Sequence, residues 1–555
     1  MARRKERVCL FIILAICVFI VVIVIIMRGL RERCSDGLYK HAAVAADSET
    51  CSKIGRDILQ SGGSAVDGAI ATLLCTSIIN PQSMGIGGGS IFTIMEKGGK
   101  VRIISCRETV PKVVKSNLLA ECSGTFQPMS GAQWIGVPIE IRGYERAHKL
   151  YGRLPWASLF EPTIKMAREG VPVGDVLARF LPVLLKENPE SPLRQLFQNE
   201  QGKLLEKGDI VRFEKLADTY ETIAKHGADA FYAGDTGKDL VSDIQAAGGT
   251  ISMEDLKSSK VYESDAREVT LGHYDMYFPP PPAGGAILSF ILNIMLGYNL
   301  SPESLRGKEN ILTYHRYVET CKFANGLKKF IKDPNFSSQT EAVEITQKHF
   351  ADKVRAKINP DRTHDISYYN VTPFLDSHGT THVSVLAEDG MAVSVTSTIN
   401  YIFGSRVFSP KTGILLNNEL VDFCGKSDQM YPGEQPPSSM SPVILYSPSE
   451  KHTVVIGASG GGMITTGLAL TLMNFLWFGK NLEDSIAAPV VFVDSKNVLN
   501  FEPSFDKEVV EALNKTGHKL KFPQIFYNVV NAVSKENNCI EAVSDLRKMG
   551  KAAGY

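Results

Sequence analysis

The sequence predicts an α/β protein whose sheets are covered by helices, carried behind one apolar N-terminal helix. Three patterns predict it: an unbroken apolar run over residues 8–27, helical apolar spacing through much of the middle, and a strand-rich last third.

The apolar run, VCLFIILAICVFIVVIVIIM, contains no charge, Gly or Pro. About 20 such residues, at a rise of about 1.5 Å each, span a hydrocarbon core of about 30 Å. A helix satisfies its own backbone hydrogen bonds there and a loop does not. A cleaved signal peptide is the competing reading, but Met27-Arg28-Gly29-Leu30-Arg31 offers no small-residue cleavage site. The expectation is an uncleaved anchor in the lipid bilayer over 8–27, with 1–7 as a cytosolic tail. Arg3, Arg4, Lys5 and Arg7 precede the span while Arg28, Arg31 and Arg33 follow it, so charge votes only weakly for that orientation. Sequons at Asn299, Asn335, Asn370 and Asn514 agree with a cell-surface protein whose C-terminal bulk lies outside.

After the anchor, residues 52–76 have helical spacing broken at Gly62-Gly63 and lead into the glycine cluster Gly85–Gly89 and a strand at 90–94. Such a cluster implies backbone held close to something else. It is not a dinucleotide fingerprint, because Gly85-x-Gly87-x-x-Ser90 lacks the third glycine and precedes a strand. Helices are expected at 141–151, 156–168, 214–226, 286–296 and 311–329. Strands are expected at 381–387, 391–398, 443–446 and 453–456, followed by a helix at 464–478.

Lys plus Arg equals Asp plus Glu, 60 against 60, with the basic residues scattered, so no nucleic-acid partner is implied. Ten cysteines without a CxxC pair exclude a disulfide-dense scaffold and a zinc ribbon. Cys51 and Cys75 lie at the two ends of the helix-like 52–76 stretch and could be bridged in an oxidising compartment. Most of the others are expected as small buried hydrophobes.

The chemistry centres on His378-Gly379-Thr380-Thr381-His382. A turn into a strand explains Gly-Thr in most proteins. A zinc site on His378 and His382 needs a helix to bring i and i+4 together, and this stretch reads as strand, so no metal is expected. Self-cleavage is the functional reading. The Thr380 hydroxyl attacks the uncrowded Gly379 carbonyl, and hydrolysis of the ester frees Thr380 as a new N-terminus. Its α-amine, with a pKa near about 7.7–8.0, then serves as the base for its own hydroxyl.

Gly379-Thr380-x-His382, the run from Glu388 through Ser394, Thr398 and Asn400, Phe403-Gly404-Ser405, Asn417-Asn418-Glu419-x-x-Asp422, Pro437-Ser438-Ser439-Met440 and Gly460-Gly461 resemble the small subunit of the gamma-glutamyltransferase family. Asn80-Pro81-Gln82, Cys106-Arg107-Glu108 and Arg153-Leu154-Pro155-Trp156 resemble its large subunit. The match runs in order over essentially everything after the anchor, and the C-terminal ending resembles the branch that hydrolyses leukotriene C4.

This resemblance implies a four-layer αββα sandwich of the N-terminal-nucleophile hydrolase type. It implies a large subunit at 28–379 and a small catalytic subunit at 380–555, joined as a heterodimer from one precursor. Thr380 is then the nucleophile, with Thr398 bonded to it. Arg107 grips the substrate α-carboxylate, assisted by Ser438 and Ser439. Asn400, Glu419 and Asp422 surround the α-ammonium, and Gly460 and Gly461 present N–H groups to the oxyanion. Glutathione, oxidised glutathione and S-conjugates such as leukotriene C4 are the implied donors, water, amino acids or peptides the acceptors, and no cofactor is required. Cys51 and Cys75 match the family's first bridge; its second has no matching pair here. Thr381 leaves a register ambiguity beside Thr380, and the spacing to His382 and Thr398 favours Thr380.

Three other readings remain at this level, one of them a related acylase of the same fold with another acyl group, against which Arg107 with Glu419 and Asp422 argue. Gly457-Ala458-Ser459-Gly460-Gly461 fits a nucleophile elbow, with Asp494 or Asp506 and then His518 in triad order, as in a serine esterase. A non-catalytic, unprocessed ectodomain is the third.

Overall fold

The computed structural model describes residues 19, 34–35, 37–122, 129–374, 379–523 and 528–555. The expected anchor at 8–27 lies outside the described residues apart from Phe19, as does His378. Among the described residues no helix is long and apolar enough to cross a membrane.

In chain order, the elements that frame the site are β1 (Ala43–Ala45), α1 (Glu49–Gln60), α2 (Ala65–Ile79), β2 (Gly89–Met95), β3 (Val101–Cys106), α3 (Glu140–Tyr151), β4 (Tyr262–Asp265), β5 (Arg267–Leu271), β6 (Tyr274–Phe278), α4 (Gly285–Leu296), α5 (Gly307–Leu327), β7 (Gly379–Leu386), β8 (Ala392–Asn400), β9 (Val443–Ser447), β10 (His452–Ser459), α6 (Met463–Leu476), β11 (Val529–Glu536), β12 (Cys539–Ser544) and β13 (Ala553–Gly554). One sheet has seven strands in the order β13-β1-β7-β8-β2-β3-β4. The other has six, in the order β12-β11-β10-β9-β6-β5.

The two sheets face each other, β10 and β11 against β7. Alternating apolar residues from both inner faces, among them Ala45, Leu386, Ile444, Val455 and Val533, fill the space between. Helices α2 and α3 cover the outer face of the first sheet, and α4 and α6 that of the second. The layers are therefore α, β, β, α. Both large sheets draw strands from either side of the Gly379–Thr380 bond, so the two parts are interleaved.

The break expected at Gly62-Gly63 separates α1 from α2, which restarts on a capping box formed by Ser64 and Asp67. The expected helix at 156–168 is instead a 3-10 turn (Trp156–Leu159) followed by a helix (Glu161–Glu169), because Pro162 lacks an N–H and belongs in a first turn. Helix α5 begins before the expected 311, and 3-10 turn Lys328–Phe330 closes it. Gly88 explains the glycine cluster: a Cβ there would sit 2.0 Å from the Thr398 carbonyl oxygen. The loop thus packs its backbone directly on the strand that carries a site residue.

The cysteine expectation needs correcting. Cys51–Cys75 is bridged as expected, tying α1 to α2. Cys34–Cys539 and Cys122–Cys424 are bridged as well, so four cysteines expected as buried hydrophobes are covalent partners. Their separations of 505 and 302 residues explain why spacing along the chain did not reveal them. Cys106 and Cys321 do behave as buried free thiols.

Candidate active site

Strand geometry settles which threonine faces the site. Successive side chains alternate across a strand. In β7 the Thr381 hydroxyl turns to Asp47 Oδ2 at 2.6 Å, while the Thr380 hydroxyl lies 3.3 Å from Thr398 Oγ1 in β8. Thr380 Oγ1 also donates to its own predecessor's carbonyl, Gly379 O, at 2.6 Å. Thr398 Oγ1 reaches the same carbonyl at 2.5 Å and accepts from the Asn400 backbone N–H at 2.8 Å. A register irregularity between Ser397 and Asn400 places Asn400 opposite Gly379, with Asn400 at φ 76°.

Thr380 and Thr398 open onto a small cavity also lined by Arg107, Asn400, Glu419, Asp422, Ser438, Ser439 and Gly461. These residues come from six separated stretches of chain. Phe374, Lys426, Met440, Gly462 and Ile464 complete the lining. Gly461 and Gly462 directly precede α6, whose first-turn N–H groups have no partner within the helix. Gly460, at φ 119°, sits just before them.

Arg107 lines the cavity and is fully buried. Its Nη1 is 2.6 Å from Glu419 Oε2 and 3.4 Å from Glu108 Oε2, and its Nη2 is 2.6 Å from Asp422 Oδ2. The Pro436 carbonyl accepts from its Nε at 3.3 Å. Burial opposes the guanidinium charge, but Glu419, Glu108 and Asp422 outweigh it, and its pKa lies above the ordinary arginine value. Burial pushes Glu108 up to about 7 against the pull of Arg107. It pushes Glu419 well above the usual carboxylate range as well, with repulsion from Glu108 and Asp422 adding to it. One cation among three carboxylates is a polarised pair of clamps, able to hold a carboxylate and an ammonium side by side.

Two contributors were not singled out from sequence. Glu108 sits in a quoted motif without an assigned task. Lys548, fully buried, donates to Asp47 Oδ2 at 2.8 Å, to Ser459 Oγ at 3.0 Å and to the Thr380 carbonyl. It ties the C-terminal stretch and the segment ahead of α1 to the backbone of Thr380. Only its place in the C-terminal motif pointed to it.

The elbow reading fails on geometry. Ser459 is the last residue of β10, three glycines ahead of α6, but its hydroxyl is engaged by Lys548 and neither acid nor histidine of the supposed triad bonds it. His518 bonds His315 and Lys322. Asp494 caps backbone N–H groups of Lys496 and Val498, and Asp506 caps the helix Lys507–Lys515. The ring nitrogens of His382 are taken by Thr396 and Ser384 hydroxyls, and burial lowers its pKa to about 3, so it is a neutral core residue.

Residues 51–555 match the family described as Gamma-glutamyltranspeptidase. The chain belongs to the gamma-glutamyltranspeptidase family. Among its relatives is the glutathione hydrolase 5 proenzyme of Rattus norvegicus, 44% identical over 100% of this chain and 99% of that one. Among solved structures, a cephalosporin acylase from Bacillus halodurans shares the fold with a TM-score of 0.83 and 24% identity, covering 94% of this chain and 97% of that one. The Helicobacter pylori gamma-glutamyltranspeptidase matches with a TM-score of 0.54 and 26% identity, covering 60% of this chain and 95% of its own. Within this gamma-glutamyltranspeptidase, the described site is the cavity where both threonines meet the Arg107 cluster.

Proposed function

We propose that this chain is a gamma-glutamyl hydrolase and transferase that cleaves its own Gly379–Thr380 bond and then acts on glutathione, oxidised glutathione and glutathione S-conjugates such as leukotriene C4. The observation that carries the reading is the sharing of one cavity by Thr380 and by the Arg107–Glu419–Asp422 cluster. A γ-glutamyl head presents a carboxylate and an ammonium at one end and the reacting amide at the other. The identity to glutathione hydrolase 5 proenzymes supports the same donor.

Self-cleavage begins with Thr380 Oγ1 attacking the Gly379 carbonyl carbon, while the Thr398 hydroxyl stabilises the charge on its oxygen. The C–N bond breaks, the nitrogen takes the proton, and water hydrolyses the resulting ester. The freed α-amine of Thr380 then accepts the hydroxyl proton as the oxygen attacks the γ-carbonyl of the donor. N–H groups ahead of α6, at Gly461 and its neighbours, face the developing oxyanion. Collapse expels the cysteinylglycine amine with the proton and leaves a γ-glutamyl ester on Thr380. Water releases glutamate, or an amino acid or peptide amine takes the glutamyl group.

The ectodomain faces the extracellular side, held by the 8–27 helix in the cell membrane. Three disulfides and four exposed sequon asparagines, Asn299, Asn335, Asn370 and Asn514, support that placement.

The test compares Thr380→Ala with Ser459→Ala, reading fragments on a reducing gel and glutamate release from glutathione and leukotriene C4. Loss of both processing and turnover in Thr380→Ala alone is expected. Full turnover by Thr380→Ala would sink the reading.

A further inference from the structure

We propose that the two chains produced by scission remain covalently joined through Cys34–Cys539 and Cys122–Cys424, and that the second bridge fastens the substrate pocket. The proposal rests on the self-cleavage reading for its two-chain consequence.

Each bridge has one cysteine before Gly379 and one after Thr380. Cys51–Cys75, by contrast, lies wholly on the N-terminal side. While the chain is continuous, the two crossing bridges close long loops and restrict the unfolded ensemble. Once the bond between 379 and 380 is cut, the same bonds become links between chains. Association then no longer depends on concentration, because the partner cannot diffuse away. Cys34 also lies just beyond the apolar run, so its bridge ties the C-terminal chain to the start of the ectodomain.

The second bridge has a further consequence because of where Cys424 sits. It directly follows the 3-10 turn Glu419–Phe423, which carries Glu419 and Asp422, the two carboxylates closest to Arg107. Cys122 directly follows another 3-10 turn, Leu118–Glu121. The bridge therefore pins one short turn to the other, across a small apolar cluster of Leu118, Trp134, Leu420 and Phe423. Short 3-10 turns have weak internal hydrogen bonding and hold their position mainly through packing. A covalent link at the end of the turn limits how far Glu419 and Asp422 can drift from Arg107.

Both Cys122 and Cys424 line an open groove of about 1080 Å³ that shares Phe374 with the nucleophile cavity. Cys424 is buried and Cys122 half-buried, so a thiol in solution approaches this bridge from the Cys122 side. Exchange with two dithiothreitol sulfurs would form one cyclic disulfide and leave two protonated cysteines.

The experiment uses full-length enzyme, alkylated on extraction, and compares non-reducing with reducing gels. One species that separates into two on reduction is expected, the smaller beginning at Thr380. Two species without reductant overturn the covalent link. A single species even with reductant means that scission failed, and peptide mapping of the same material then decides the bridges. Disulfide-linked Cys34–Cys539 and Cys122–Cys424 peptides support them, and free thiols at those positions overturn them.

For the fastening role, Cys122→Ser/Cys424→Ser is expected to raise KM for glutathione about tenfold, with kcat changed less than about twofold. Cys34→Ser/Cys539→Ser should keep the parent KM. A parallel dithiothreitol titration of wild-type enzyme should raise KM in step with loss of the Cys122–Cys424 peptide. An unchanged KM after that peptide is lost overturns the fastening role.

Discussion

The Thr398 hydroxyl donates to the carbonyl oxygen of Gly379 at 2.5 Å, on the bond proposed to break. It is placed to polarise the carbonyl in the proposed attack by Thr380, from a strand whose position is fixed by pairing with β7 on one side and β2 on the other. Thr398→Val keeps the β-branched shape and removes the donor. Self-cleavage should slow by roughly a hundredfold, the usual cost of one oxyanion donor. The measurement is the rate of fragment appearance on reducing gels after synthesis is stopped; an unchanged rate refutes the role.

Gly379 is needed for room. A Cβ there would lie 2.7 Å from the Tyr401 carbonyl oxygen and 2.9 Å from that of Asn400. Both neighbours are backbone and cannot swing aside. Gly379→Ala should displace the scissile carbonyl from Thr398 and slow processing, and precursor should accumulate in pulse-chase labelling. Enzyme that does become processed should turn over glutathione at the normal rate, because residue 379 then belongs to the departed chain end.

Arg107 acts as a planar fork, and a lysine cannot replace it. Arg107→Lys keeps the charge but loses contacts to two of Glu108, Glu419 and Asp422, leaving buried carboxylates poorly paired. Steady-state kinetics should show kcat/KM for glutathione falling by roughly tenfold to a hundredfold, mostly through KM. Processing should continue, since Arg107 does not touch the Gly379–Thr380 bond. Parent-like kinetics would remove Arg107 from substrate binding.

Glu140, at the start of α3, predicts a pH effect on stability. Burial, with repulsion from Glu108 contributing, raises its pKa from 4.5 to about 8. Between those values the folded protein holds a proton that the unfolded chain has lost. Stability contributed by this group therefore falls as pH rises across that window. Glu140→Gln does not titrate, so its Tm should fall less between pH about 5 and about 8 than that of the parent. Scanning calorimetry at several pH values checks this; parallel curves would remove Glu140 as the source.

Much of the fold was legible where local pattern and tertiary demand coincide. The helix expected at 214–226 is Glu214–His226, and the strands expected at 381–387 and 391–398 differ from β7 and β8 by one or two residues at their ends. The strands β4, β5 and β6 and the final pair β11 and β12 were not expected. Residues of β4 and β5 are largely exposed or half-exposed, so they lack the apolar alternation that marks a buried strand.

By itself, the sequence determined most of the helices and strands that frame the site, because those depend on residue type and short-range spacing, and its family resemblance named Thr380, Arg107, Glu419 and Asp422 as candidates. The spacing to His382 and Thr398 already favoured Thr380 over Thr381, and the tertiary structure supplies the reason, since that choice turns on which side of β7 faces Thr398. Only the tertiary structure paired Cys34 with Cys539 and Cys122 with Cys424, and set Lys548 against Thr380. Contacts between residues hundreds of positions apart leave no periodic trace along a chain; they exist only once the sheets have closed on each other.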